Sequence, residues 1–326
     1  MRLIRKIFAT GRLGLIAAAA ASVALSAAAQ DKPVVRVLVG FPPGAGTDTL
    51  ARIYAEALAE KMNVTAVVDN KPGAGGQIAA QALKQATPES NSIMFVVDHQ
   101  VIMLPLISKN PGFDVKKDMS PIARIVNFYT CLAVPAASPA KTFNDYIEHV
   151  RKHPDQGGFG IPAPGSQAQF VGFVVGQHYK VSMNPVPYRG AAPAITDLVG
   201  GQVPAAIVPC DALIEYRKAG KVRILAMVSG KRYSAMPDVP TFAEMGLQMP
   251  ADAFLGVYGA SSLKPELRQR ITEATRKMFD DPKVVAKFAS TNMEPAYANP
   301  EELGRFVEGA TSFWAEQVRK SNFQAQ

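Results

Sequence analysis

An α/β protein built as two facing sheets is what this sequence predicts, on three observations. Four times a short apolar run ends in a glycine-bearing turn and passes at once into a helical pattern. Two of these units come early in the chain and two come late. The 326 residues suffice for two domains with sizeable cores. Strands alternating with helices argue a largely parallel, doubly wound sheet. Ligands of such sheets sit beyond the carboxyl ends of the strands, so two sheets facing each other predict a cleft between them.

The first unit is the clearest. A β-branched run from Val34 to Val39 stops at Phe41-Pro42-Pro43, turns at Gly44-Ala45-Gly46 and opens a helix at Thr47-Asp48. Leu50, Ile53, Tyr54, Ala57 and Leu58 then fall on one helical face, a core-packing stripe. The second unit runs from Val64 to Val68 through Lys71-Pro72-Gly73-Ala74-Gly75-Gly76 into an alanine-rich helix ending near Gln85. A buried strand from Ile93 to Val97 delivers Asp98-His99-Gln100 at its carboxyl end, and a short helix follows to Ile107. Asn110-Pro111-Gly112 and Lys116-Lys117-Asp118 read as surface turns.

A second block begins near Cys131, with a strand over Leu132 to Val134 and a helix from Thr142 to His153. The third unit leads from Phe159 to Ile161 through Pro164-Gly165-Ser166-Gln167 into a helix ending at Tyr179. The fourth leads from Pro185 to Tyr188 through Arg189-Gly190-Ala191-Ala192-Pro193 into a helix ending at Val199. Further apolar strands are expected near residues 205–208, 223–228 and 254–257, a short helix at 242–245, and two amphipathic helices from Pro265 and Pro300.

The N-terminus has its own signature. Arg2, Arg5, Lys6 and Arg12 precede an apolar run to Leu25, and Ala27-Ala28-Ala29 offers a small-x-small cleavage site. That pattern is a secretory signal peptide over residues 1–29, too short and wrongly flanked for a stable span; the alternative is an uncleaved anchor. No Cys lies near the cleavage point, which excludes a lipoprotein. Four of the 35 Lys and Arg residues lie in this leader, leaving 31 against 27 Asp and Glu, a mature net charge of +4. With no basic run and no aromatic-basic interleaving, nothing suggests nucleic acid. In an exported protein Cys131 and Cys210 are free to pair, or to stay apart as two small buried residues; spacing does not decide. Neither CxxC nor HExxH occurs and the four His are scattered, so no metal and no cofactor is expected.

A glycine turn at a helix start leaves several backbone N–H groups unpartnered at one place, and with the helix dipole they favour an anion. Any α/β protein needs tight turns, so one such corner carries little. Four, together with export, point to a receptor for a small anion. A dinucleotide fingerprint is a poor reading, because Gly44-x-Gly46 has Thr49 in place of its third glycine.

The motifs Phe41-Pro42-Pro43-Gly44-x-Gly46-x-Asp48-x-x-Ala51-Arg52, Asp69-Asn70-Lys71-Pro72-Gly73-Ala74-Gly75-Gly76, Val186-Pro187-Tyr188-Arg189-Gly190-x-x-Pro193-Ala194-x-x-Asp197 and Pro237-Asp238-Val239-Pro240-Thr241-x-x-Glu244 stand in this order along the mature chain. The series resembles the Bug-type periplasmic solute receptors of tripartite tricarboxylate transporters. The resemblance implies a type II periplasmic-binding-protein (Venus-flytrap) fold, with lobe 1 over 30–130 plus 254–326 and lobe 2 over 131–253. The lobes would hinge near Val126–Cys131 and Pro250–Phe254 and close on a carboxylate, an organic acid or amino acid. Implied partners are the membrane permease subunits of such a transporter.

Carried over by position, the resemblance implies ligand loops at Pro43, Gly44, Ala45, Gly46, Thr47 and Asp48, and at Gly73, Ala74 and Gly75, in the first lobe. In the second lobe it implies Gly165, Ser166 and Gln167, with Tyr188, Arg189 and Gly190. His99, at a strand's carboxyl end, joins them from its place facing the expected cleft. The sequence departs from the family's usual pattern at Ala45, His99, Gln169 and Phe254. Each residue has a plainer role. Asp48 at a helix start caps that helix, Arg189 faces solvent, and Tyr188 and Phe254 belong to core. Ser166 shows no paired base that would make it a nucleophile. A monomeric, non-enzymatic receptor is therefore expected. A receptor presenting its solute to a membrane sensor and a hydrolase or transferase on the same scaffold are the alternatives.

Overall fold

The computed structural model describes residues 32–250 and 253–325; the leader and the crossover residues Ala251 and Asp252 lie outside these. Two sheets organise the chain. The first contains β1 (Val34–Val39), β2 (Thr65–Asn70), β3 (Ser92–Val97), β4 (Met119–Phe128), β10 (Ala253–Ala260) and β11 (Glu294–Ala298), in the order β11-β4-β10-β3-β1-β2. The second contains β5 (Thr130–Pro135), β6 (Gly158–Ile161), β7 (Asn184–Pro187), β8 (Ala205–Pro209) and β9 (Val222–Val228), in the order β7-β6-β8-β5-β9.

The sheets are mixed, which corrects the largely parallel expectation. β1 pairs in parallel with β2 and β3, and β6 with β7 and β8, as the strand–turn–helix units require. β10 runs antiparallel to β3 and β4, and β5 antiparallel to β8 and β9. The reversals come from the strands that pass between the sheets. β4 hands over to β5 through Tyr129 alone, and β10 enters the first sheet beside β4, with Ala253 opposite Phe128.

All four strand–glycine–helix units form, leading into helices Gly46–Met62, Gln77–Lys84, Gln167–Tyr179 and Ala191–Val199. Pattern reading missed β4 and β11, where Pro121 and Pro295 argue against a strand. β11 tolerates its proline at the sheet edge. Three helices were also missed: Val115–Asp118, where surface turns were expected, Ile214–Lys218 and Pro282–Ala289.

β1 shows why the sheets hold. Val35, Val37 and Val39 pack with Leu50, Tyr54 and Leu58 on one face, while Leu38 enters a second cluster on the other. Val34 and Arg36 are exposed, so only Val37 to Val39 are buried on both faces and read as an unbroken apolar run. The second cluster continues past Trp314 to Phe159 and Phe170 of the other sheet's layer. The helix Pro300–Lys320 follows the same route, and beyond it Phe323 meets Phe170 with ring centroids 5.5 Å apart. Opposite, Lys231 pairs with Glu294 at 2.9 Å, and the Tyr233 hydroxyl donates to the Asn292 carbonyl at 2.9 Å.

Cys131 and Cys210 form a disulfide across the β5–β8 end of the second sheet, with Cα atoms 5.0 Å apart, within the usual range for a bridge. Phe254 is core, fully buried, with its ring 5.8 Å from that of Phe306.

Candidate functional site

The first corner is built by one carboxylate. Asp48, 2% exposed, accepts from the Gly44 amide at 2.8 Å, from Arg52 Nε at 2.9 Å and from Asn70 Nδ2 at 2.8 Å. These partners hold its pKa below the usual carboxylate range against the opposing effect of burial. The Asp48 side chain thus takes the structural role expected for it beside its place in the ligand loops. The Gly46, Thr47 and Asp48 amides stand in a first turn with no side-chain cap. Ala45 sits at φ −68°, so alanine in place of a second glycine costs this turn nothing. Pro43 and Gly44 are exposed.

The second corner is more strained. Gly73, Ala74, Gly75 and Gly76 all have positive φ, Ala74 at 47°, a run that glycine alone adopts freely. The segment Asp98–Ile107 fits against it. A Cβ built on Gly75 would lie 3.1 Å from His99 Nε2, and one on Gly76 would lie 1.8 Å from Gln100 Nε2. A Cβ on Gly40, just after β1, would meet the same Gln100 nitrogen at 2.4 Å. Gln100 is fully buried; its Oε1 accepts from the Val97 amide at 2.7 Å while its Nε2 has no partner. It fits between Gly40, at the end of β1, and Gly76 of the second corner. Sequence reasoning passed over it; the available signal was its place at the end of a fully apolar strand.

His99 and Asp98 are both held towards neutrality. Part of His99 stays accessible, but its ring lies deep under Gly75, and desolvation alone lowers its pKa to about 4. Asp98 is 6% exposed; burial raises its pKa to about 7, against the backbone hydrogen bond from His99. The two act oppositely on stability. Between pH 4 and 6.5 the unfolded state binds a proton at His99 that the native state does not, so this term stabilises as pH rises. Between about pH 4 and 7 the native state keeps a proton on Asp98 that the unfolded state has lost, so this term destabilises as pH rises. The terms cancel over most of that window. Urea unfolding of H99Q across pH 4.5–7 is expected to show stability falling with pH relative to the parent, and D98N the reverse. Parallel curves for both variants would contradict the assignment.

On the second sheet the corner glycines also spend their own amides. Gly165 donates to Gln169 Oε1 at 2.8 Å and Gly190 to the Pro162 carbonyl at 2.8 Å. The outward donors are therefore the next residues, Gln167 and Ala168 in one first turn and Ala191 and Ala192 in the other, both without side-chain caps. Ser166 Oγ is buried without a partner. Gly165 abuts the first sheet's layer, since a Cβ there would lie 2.6 Å from Ile107 and 3.2 Å from the Phe323 ring. The segment 98–107 thus touches the second and third corners and, through Gln100, Gly40 at the end of β1. The fourth stands apart: a Cβ on Gly190 would meet nothing within 4 Å, and Arg189 is exposed with no ion pair among the described residues. Tyr188 donates its hydroxyl to Asp197 at 2.7 Å, and burial, then that carboxylate, push its pKa up to about 12.

Among the described residues no group of three or more His, Cys, Asp or Glu is placed to hold a metal ion, and no helix is long and apolar enough to cross a membrane. Uncapped first turns at the carboxyl ends of parallel strands can hold a small anion by peptide nitrogens.

The family model for the tripartite tricarboxylate transporter family receptor matches residues 50–323. Protein BugT of Bordetella pertussis is 27% identical over 308 residues, 93% of this chain and 94% of that protein. The structure of the periplasmic binding protein BugD superposes with a TM-score of 0.74 at 27% identity, covering 90% of this chain and 99% of that one. An R. palustris protein, Rpa4515, solved with adipate, gives a TM-score of 0.77 at 25% identity, covering 88% and 97%.

Proposed function

The chain belongs to the tripartite tricarboxylate transporter receptor family, whose members are two-lobed solute receptors and not enzymes; from that premise we propose that it traps a small carboxylate between its lobes. The lobes divide near residues 130 and 253. The observation that carries the reading is the set of uncapped first turns, Gly46–Asp48, Gln167–Ala168 and Ala191–Ala192, at the carboxyl ends of parallel strands on both sheets. The adipate seen in Rpa4515 agrees with a ligand of this class. Donors for the carboxylate are peptide nitrogens with Thr47, Ser166 and Gln167. His99 forms the wall beside Gly75, while Tyr188, Arg189 and Gly190 contribute from the fourth corner when the lobes close. Micromolar affinity requires about 8 kcal/mol, which several charge-assisted hydrogen bonds of about 1.5–3 kcal/mol each can supply in gross terms. Export through the leader places the receptor in the periplasm, where a permease of the tripartite type takes up the released solute.

A thermal-shift panel of mono-, di- and tricarboxylates, amino acids, neutral sugars and cations on the mature protein tests this. A carboxylate at a hundredfold excess over its dissociation constant should add about 2.7 kcal/mol of stability. Shifts produced by sugars or cations alone would sink the carboxylate assignment.

A further inference from the structure

A second cavity lies wholly within the first sheet's layer, about 640 Å3 in volume, inside the range of about 300–1,000 Å3 typical of small-molecule sites. Val101 and Pro105 form one wall, on the segment that carries His99 and Gln100 to the glycine corner. Phe113, Met119 and Val307 add apolar surface, and Asp114, Thr311 and Ser312 add polar surface on the remaining sides.

Two details mark it as more than a packing defect. Tyr258 of β10 lines it and is only 2% exposed. Its hydroxyl has no hydrogen-bond partner among the described residues, and burial is the only influence on its ionisation. Tyrosines in largely buried places usually find a partner for that O–H, so a donor stands open to the cavity. The second detail is Gly304, within the helix Pro300–Lys320, where glycine is less favourable than alanine. Gly304 also lines the cavity, and a Cβ there would meet nothing within 4 Å. No packing demands a glycine at this point, and its bareness keeps the cavity wide.

The rim decides the ligand's charge. Lys116 is the cation at the mouth, paired with Glu308 at 2.9 Å, and the carboxylate Asp114 is taken up by Lys117 at 3.6 Å and by the Lys116 and Lys117 amides, so no lining charge is left unpaired. An anion pushed against the apolar wall would lose its hydration without a free cation to replace it. We propose that this cavity is a second ligand site, taking a small, mostly apolar, uncharged molecule whose one hydrogen-bond acceptor meets the Tyr258 hydroxyl.

The probe is 2-heptanone, titrated into the mature protein and followed by methyl NMR. Saturable binding at one site is expected. Y258F, which keeps the shape and removes the donor, should weaken it about five- to tenfold. G304L should abolish it while leaving the fold intact, because its side chain fills open space. G309L, on the same helix but not on the cavity wall, should bind like the parent. Absence of saturable binding, an unchanged affinity in Y258F, or binding that survives G304L would each overturn the proposal. None of these outcomes depends on whether the interlobe site takes a carboxylate.

Discussion

Replacing Cys131 and Cys210 together by alanine is expected to lower stability by about 4 kcal/mol. The bridge spans 79 residues, and closing a loop of that order removes about 4–5 kcal/mol of chain entropy from the unfolded state in the simplest account. It joins the start of β5 to the end of β8, antiparallel neighbours at the middle of the second sheet, and both cysteines are fully buried. The variant should therefore unfold at much lower urea and with a steeper slope, because the unfolded chain freed of the bridge exposes more surface. Unfolded, unreduced parent protein should contain no titratable thiol. A double variant within about 1 kcal/mol of the parent would show that the bridge constrains little.

The second large effect is expected at Gly76. Its φ is 93°, so an alanine there is strained by about 1–2 kcal/mol. The added methyl also falls 1.8 Å from Gln100 Nε2 and 2.7 Å from Gln100 Cδ, an overpacking penalty of about 1–3 kcal/mol. G76A should thus cost about 2–5 kcal/mol and displace the corner, weakening whatever the cleft binds. In the G76A/Q100A double variant the collision is gone while the backbone strain stays. The double variant should then be more stable than the sum of the single effects, a coupling that urea titration of the four proteins measures. Strict additivity would mean that Gln100 does not occupy the slot between Gly40 and Gly76.

The four strand–glycine–helix units were legible in the sequence because each rests on local chemistry: a short apolar run, then glycine, then a helical pattern. β4 and β11 were illegible for an equally local reason, since Pro121 and Pro295 speak against strands that only their neighbours make possible. The fate of individual amides was not readable either. That Gly44 and Gly165 donate to Asp48 and Gln169 four residues ahead moves the outward donors one turn along, to residues such as Thr47 and Ala168. Gln100 hid for the opposite reason: its role exists only where Gly40, Gly76 and β3 converge. The cysteine pairing depends on the β5–β8 register, which no spacing encodes.

The passage between the sheets has a mechanical consequence. β4 and β10 lie side by side where they leave the first sheet, with Ala253 opposite Phe128 and only Tyr129 before β5 begins. A ribbon of two paired strands bends most easily across its own thickness, so motion between the two sheets should run as a swing about this crossing.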